Sequence, residues 1–178
     1  ADHVRLCLRF MADHGHNPRL WRIDRAQLDR LGVTADGFSI EPDRDNWDYV
    51  YNTRDLIELP EDRYPDKVKH IRQFTKRFRD FEYHPLTPDL IEGCLFLQDL
   101  WCDEKHCDLF ANMRAESRAV KEVLRNLEAL EVTGGAILVR DRVQAFSVGE
   151  PLNADTVVIH IEKASPDLHG AFQVINQQ

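Results

Sequence analysis

The residues best suited to chemistry gather near the end of the chain, in TVVIHIEKASPDLHGAFQVINQQ, residues 156–178. His160 and Glu162 lie two apart in an apolar run that reads as a strand, where alternate side chains share a face. That spacing predicts that both point the same way at the strand's carboxyl end, where ligands sit in open α/β sheets. Val157, Ile159 and Ile161 fall on the opposite, buried face. A carboxylate beside an imidazole favours its protonated form, which suits a general base or an anchor for a substrate amine. The plainer reading is a structural His–Glu pair closing the sheet edge. Beyond Lys163, SPDLHGAFQVINQQ reads as a turn and a helix, with Ser165 or Asp167 as cap. The first N–H groups of such a helix attract anions.

A second concentration of chemistry is electrostatic. RYPDKVKHIRQFTKRFR, residues 63–79, reads as a helix after Pro65. Val68, Ile71, Phe74 and Phe78 recur at helical spacing and make one apolar face. Lys69, Arg72, Lys76 and Arg79 recur at the same period and make a basic stripe beside it. Seven cations against one acid give this segment +6 over 17 residues, in a chain whose net charge is −8. Such a stripe can hold the phosphates of a cofactor, a lipid headgroup or a tRNA acceptor stem. It can equally be a solvated face, with Arg72 and Lys76 lying their stems along apolar surface.

The four cysteines, Cys7, Cys94, Cys102 and Cys107, read as reduced thiols of a cytoplasmic protein. CDEKHC lacks the C-x2-C spacing of a zinc site, so no metal is expected. No nucleophile elbow, P-loop or G-x-G-x-x-G is present, which removes the common hydrolase and nucleotide-motor patterns. At 30% charged residues, with no apolar run of 18, nothing reads as a membrane span. The first ten residues show no basic segment followed by an apolar one, the pattern of a signal peptide.

The positioning elements follow from periodicity and caps. Helices are expected at HVRLCLRFMADHG, at DRAQLDRLG with Asp24 as cap, and at TPDLIEGCLFLQDLWCDE opening on Thr87 and Pro88. Cys94, Leu97 and Trp101 face the core of that third helix. Another helix is expected over AESRAVKEVLRNLEALE, burying Val120, Val123, Leu124, Leu127 and Leu130. PRLWRI and WDYVY read as strands, and GGAILVRDRVQAFSVGE reads as a hairpin turning at Arg140-Asp141-Arg142. The mixture predicts an α/β or α+β fold.

Several of these segments carry a resemblance. NWDYVYNTRDLIELPEDRYPDKVKHIRQFTKRF, LxxLWCDEKHC, the hairpin sequence and TVVIHIEKASPDLHGAFQVINQQ are similar to the phosphatidylglycerol lysyltransferase C-terminal-domain-like family, from about residue 38 onward. The resemblance implies a GNAT-like acyltransferase fold in a tandem two-lobe arrangement. Residues 1–62 would be the tail of one lobe, and 63–178 the basic linking helix and core of a second. It also implies a central piece of a longer protein.

The implied activity is acyl or aminoacyl transfer, with aminoacyl-tRNA or acyl-CoA as donor and a lipid or other small-molecule amine or hydroxyl as acceptor. Lys69, Arg72 and Lys76 would hold donor phosphates, and His160 and Glu162 would orient or deprotonate the acceptor. Lys163 and Asn176 would assist at the pocket rim. In GNAT-like lobes the strand–turn–helix after a hairpin grips the donor's phosphates, and Gly170 would serve there within a degenerate glycine pattern. Two other readings stay open: a non-catalytic ligand- or RNA-binding module on the same fold, and a CoA-dependent N-acetyltransferase.

Overall fold

The computed structural model describes residues 2–35 and 37–178, which divide into two compact units at Val50 and Tyr51. In the first unit, α1 spans Asp2–Asp13 and α2 spans Arg25–Arg30. Asp24 caps α2 as expected: its Oδ1 accepts from the Gln27 N–H at 2.6 Å, and its own N–H donates to Gln27 Oε1 at 3.1 Å. This reciprocal pair satisfies two helix-end donors at once.

Neither strand expected near this unit forms. PRLWRI is irregular, and WDYVY follows a short 3-10 turn at Arg44–Asn46 as extended chain without a ladder. β-propensity describes fit to a half-buried pleated surface, and no such surface is offered here. Trp21 instead lies under the Arg19 guanidinium at 3.9 Å, and Trp47 meets Arg44 at 5.8 Å. Tyr49 and Val50 are almost fully exposed.

The second unit is built on a four-stranded sheet. Its elements are α3 (Thr53–Glu58), α4 (Pro65–Arg77), β1 (Glu82–Pro85), α5 (Ile91–Lys105), α6 (Ala111–Arg125), β2 (Thr133–Val139), β3 (Arg142–Pro151), β4 (Val157–Ala164) and α7 (Ala171–Gln177). The strands lie in the order β1-β2-β3-β4, every pair antiparallel. The fold is therefore mixed α and β, and the rule that places ligands at the carboxyl ends of parallel strands does not apply to it.

Strand alternation divides the core between the two sheet faces. Ala136, Phe146, Val148 and Ile161 pack with Cys94, Leu97, Val120 and Leu124 of α5 and α6. Ile137, Val139 and Ala145 pack on the other face with Phe74 of α4 and Ala171, Val174 and Ile175 of α7. Phe74 is fully buried, as the helical spacing of the basic segment predicts. The hairpin turns on Arg140 and Asp141, both with positive φ, because a tight two-residue turn must match the strands' twist.

Three boundaries depart from expectation. α5 opens through a 3-10 turn at Pro88–Leu90, and the Thr87 side chain makes no cap bond to the backbone. Its hydroxyl instead bonds Asp89 and holds that carboxyl below its usual range. α6 starts at Ala111 and stops at Arg125, where Asn126 turns its amide back to the Glu122 carbonyl at 2.8 Å. Leu130 consequently lies beyond the helix, about half exposed. β1 is too short for alternation to reveal, and it pairs with β2 over four residues.

The cysteines also depart. His106 ends α5 in the left-handed region, folding the chain back so that Cys102 and Cys107 form a disulfide across a Cα separation of 5.0 Å. Only Cys7 and Cys94 are free thiols, and burial pushes Cys94 up to about 12.

Gly170 marks where α7 meets α4. Its φ is +94°, and a Cβ there would stand 2.5 Å from the His70 carbonyl oxygen and 2.9 Å from Phe74 Cβ. Gly170→Ala should destabilise the protein by about 2–3 kcal/mol in urea unfolding, from a left-handed backbone and a clash together. A change below about 0.5 kcal/mol, the size of an ordinary surface substitution, would mean that α7 does not close on α4.

Candidate functional site

β4 carries one residue more than β3 can match. Val148 pairs with Ile161 and Gly149 pairs with Ile159, so His160 is the extra residue of a β-bulge. A bulge resets the alternation of a strand, and the partners on either side show it. His160 Nε2 lies 2.8 Å from Glu150 Oε1, beside the sheet face covered by α5 and α6. Glu162 Oε2 accepts instead from Asn176 Nδ2 of α7 at 3.1 Å, on the opposite face. The expectation that His160 and Glu162 share a face is thus corrected: the inserted residue separates them. The same reset leaves Val157 and Ile159 exposed while Ile161 is buried.

On the α6 side, a cleft of about 570 Å³ runs between α6 and β4. Val120, Val123, Val132 and Ile161 supply an apolar floor, and Glu150 and His160 stand in its wall. Because a carboxylate can only accept, the His160 nitrogen facing Glu150 carries the hydrogen. Nδ1 of the neutral ring keeps a lone pair available to a proton. Farther along β4, Lys163 is 8% exposed, its Nζ 3.7 Å above the Trp101 ring and donating to Glu116 Oε1 at 2.7 Å. A buried ammonium needs such compensation. Lys163 is therefore held inside the cleft wall rather than at a rim.

The other side of β4 carries a polar chain. Lys67 Nζ donates to Asn176 Oδ1 at 2.8 Å while Asn176 bonds Glu162, so the amide bridges cation and anion. Burial raises the proton affinity of Glu162, and the Asn176 bond and the nearby Lys67 charge offset this only in part. Its Oε1 is inaccessible and has no hydrogen-bond partner among the described residues.

The basic stripe is only partly free. Arg72 forms a two-pronged pair with Glu61 at 2.9 and 3.2 Å, and Arg63 pairs with Asp55 at 2.8 Å. Lys69 and Lys76 are exposed and make no ion pair among the described residues. Gly170 itself takes the N-cap position of α7, so neither Ser165 nor Asp167 caps it. The first helical N–H, of Ala171, already bonds the Leu168 carbonyl.

The structure therefore sorts the expected site residues into two groups. His160 and Lys163 belong to the cleft beside α6, whereas Asn176, Gly170 and the cations of α4 belong to the α4–α7 side; Glu162 borders the cleft as well, but its carboxyl bonds Asn176 on the α7 side. β4 is an edge strand, so its outer side is where the two groups come nearest along the chain. Glu150, Glu116 and Trp101 were not legible as site residues, because strand register and helix packing bring them in. Lys67 was visible as a charge, but its link to Asn176 spans 109 residues.

A model of the family described as phosphatidylglycerol lysyltransferase, C-terminal, matches residues 1–178. The match thus includes the first 37 residues, beyond the segments that carry the visible resemblance. The crystal structure of a conserved protein of unknown function from Bacteroides thetaiotaomicron VPI-5482 is similar, with 32% identity and a TM-score of 0.83. The similarity covers 99% of this chain and 60% of that one, so the chain spans 60% of that protein's length. No curated protein matches the chain.

Glu162 yields a prediction with a definite sign. Its proton affinity is higher folded than unfolded, so stability falls as pH rises from the ordinary value of 4.5 through the folded value, then levels off. Glu162→Gln should therefore be more stable than wild type in urea unfolding at pH 7. The two should converge below pH 4.5, where the acid is protonated in both states. A difference of unchanged size at low pH would contradict the burial argument.

Proposed function

Because the chain belongs to the phosphatidylglycerol lysyltransferase C-terminal family, we propose that it is an acyltransferase domain of GNAT-like type, moving an aminoacyl group from aminoacyl-tRNA to an amine or hydroxyl acceptor. The observation that carries this reading is the bulged His160, fixed by Glu150 in the wall of an apolar-floored cleft. His160 Nδ1 takes a proton from the acceptor as its nitrogen or oxygen attacks the ester carbonyl. The new amide or ester forms, the bond to the tRNA ribose oxygen breaks, and that oxygen leaves with a proton. Direct attack needs no covalent enzyme intermediate once the reactants are positioned.

Lys69 and Lys76 hold donor phosphates on this reading, since Arg72 is engaged by Glu61. A lipid is the acceptor that the family suggests. No described helix is long and apolar enough to cross a membrane, so the domain would meet lipid from its surface. CoA-dependent acetylation draws less support. The packing of Gly170 against α4 explains that glycine without a pyrophosphate, and the Ala171 N–H is already bonded. A binding module without catalysis would use the same cations and leave His160 idle.

Titration with charged and uncharged tRNA at moderate salt, with CoA as control, separates these readings. Preference for charged tRNA is expected. Binding of CoA alone would replace the donor, and binding of neither would refute the transferase proposal. Lys69→Glu with Lys76→Glu should weaken tRNA binding and reduce the salt slope by roughly 1 for each phosphate that is no longer neutralised. In a transfer assay, His160→Gln should lower kcat by about 10²–10⁴-fold with the fold intact. An unchanged rate would remove His160 from the chemistry.

A further inference from the structure

We infer that Cys102–Cys107 is a redox-active pair whose thiol–disulfide state is coupled to the cleft through Trp101, Lys163 and Glu116. The inference does not depend on the transferase reading. The disulfide joins the last turn of α5 to the 3-10 turn Cys107–Leu109 that leads into α6. Arg114 of α6 donates to the Asp108 carbonyl, so that turn is anchored to α6 as well.

Two adjacent contacts connect this junction with the cleft. Gln98 is 1% exposed, and its Nε2 lies 3.5 Å from Cys102 Sγ and 3.4 Å from Ser117 Oγ of α6. Next to Cys102 along the chain, Trp101 holds the Lys163 ammonium on its ring face. Lys163 in turn donates to Glu116, the neighbour of Ser117. The bonded sulfur, Trp101 and both cleft residues thus belong to one contiguous set. The Oε1 of Gln98 is buried without a donor among the described residues. A thiol at Cys102 would supply an S–H within reach of that amide, which a disulfide sulfur cannot.

The exchange partner is a small-molecule thiol. Cys102 is the half-buried sulfur and Cys107 the buried one, so the external thiolate attacks Cys102. The protein S–S bond breaks and Cys107 leaves as a thiolate that takes up a proton. A second external thiol then attacks the mixed disulfide, releasing Cys102 as a thiol and a small-molecule disulfide. The protein gains two electrons and two protons, and the two external thiols are oxidised. Gln98 then has reason to turn its amide so that Oε1 accepts from the Cys102 S–H, and the freed last turn of α5 lets Trp101 move relative to Lys163.

Coupling is reciprocal, so a change at Lys163 must appear in the redox equilibrium of the cysteines. The protein is equilibrated in glutathione buffers of graded ratio, quenched in acid and alkylated after denaturation so that buried Cys94 reacts too, and the modified cysteines are counted by mass. Two modified cysteines are expected at the oxidising end and four at the reducing end, given four cysteines of which two are free. Lys163→Met removes the ammonium and keeps the bulk. It should shift the equilibrium toward the dithiol by roughly threefold or more, the lower range of energetic coupling between linked sites. Glu116→Gln, at a half-exposed position, should shift it in the same direction and serves if the first variant does not fold. A pair that stays reduced in every buffer would overturn the redox assignment. An equilibrium identical in wild type and variants would overturn the coupling.

Discussion

A strand can insert a residue only by leaving it out of the ladder, and in β4 that residue is His160. From the single mismatch between Val148 and Gly149 follows the distribution of polar groups around the strand. Without it, two residues of spacing would place His160 with Glu162, facing α7. With it, His160 turns to Glu150 beside α6, and Glu162 is left to Asn176 and Lys67. The strand thereby presents an imidazole to an open apolar cleft and a carboxyl to a partly buried polar network. Those environments suit different tasks: a proton acceptor must be reachable, whereas a buried acid must be compensated.

The compensation on the α7 side is incomplete in a specific way. Asn176 satisfies one Glu162 oxygen and relays the Lys67 charge, but the other oxygen has no partner among the described residues. The network also fastens α4 and α7 to β4, alongside the contact of Gly170 with the α4 backbone. The helix that carries the exposed Lys69 and Lys76 is thus anchored by polar and apolar contacts together. A positioned stripe of charge holds a polyanion in a defined register, which a floppy one cannot do.

What was legible in the sequence depended on whether the signal was local. The apolar face of α4, the cap at Asp24, the hairpin at Arg140-Asp141 and the concentration of positive charge all rest on neighbours within a few residues. Each appears in the structure. PRLWRI and WDYVY failed because strand propensity cannot supply a partner strand, and arginine contacts took up the tryptophan of each segment. The candidate site was half legible. His160, Lys163, Glu162 and Asn176 all have defined polar partners. Their division between two sheet faces rests on a register shift, which no residue type announces. Cys102 and Cys107 met through the left-handed turn at His106, a conformation uncommon outside glycine and one that spacing alone does not signal.

The chemistry assigned to the cleft depends on which side of the sheet His160 occupies. Nuclear Overhauser contacts from the His160 ring, in protein with labelled valine methyls, test this directly. Placement beside Glu150 predicts contacts to Val120 and Val123 of α6, with the ring hydrogen on Nε2 and Nδ1 bare. Contacts to Val174 of α7 would contradict it, because they would return His160 to the face of Glu162 and remove the cleft from the chemistry.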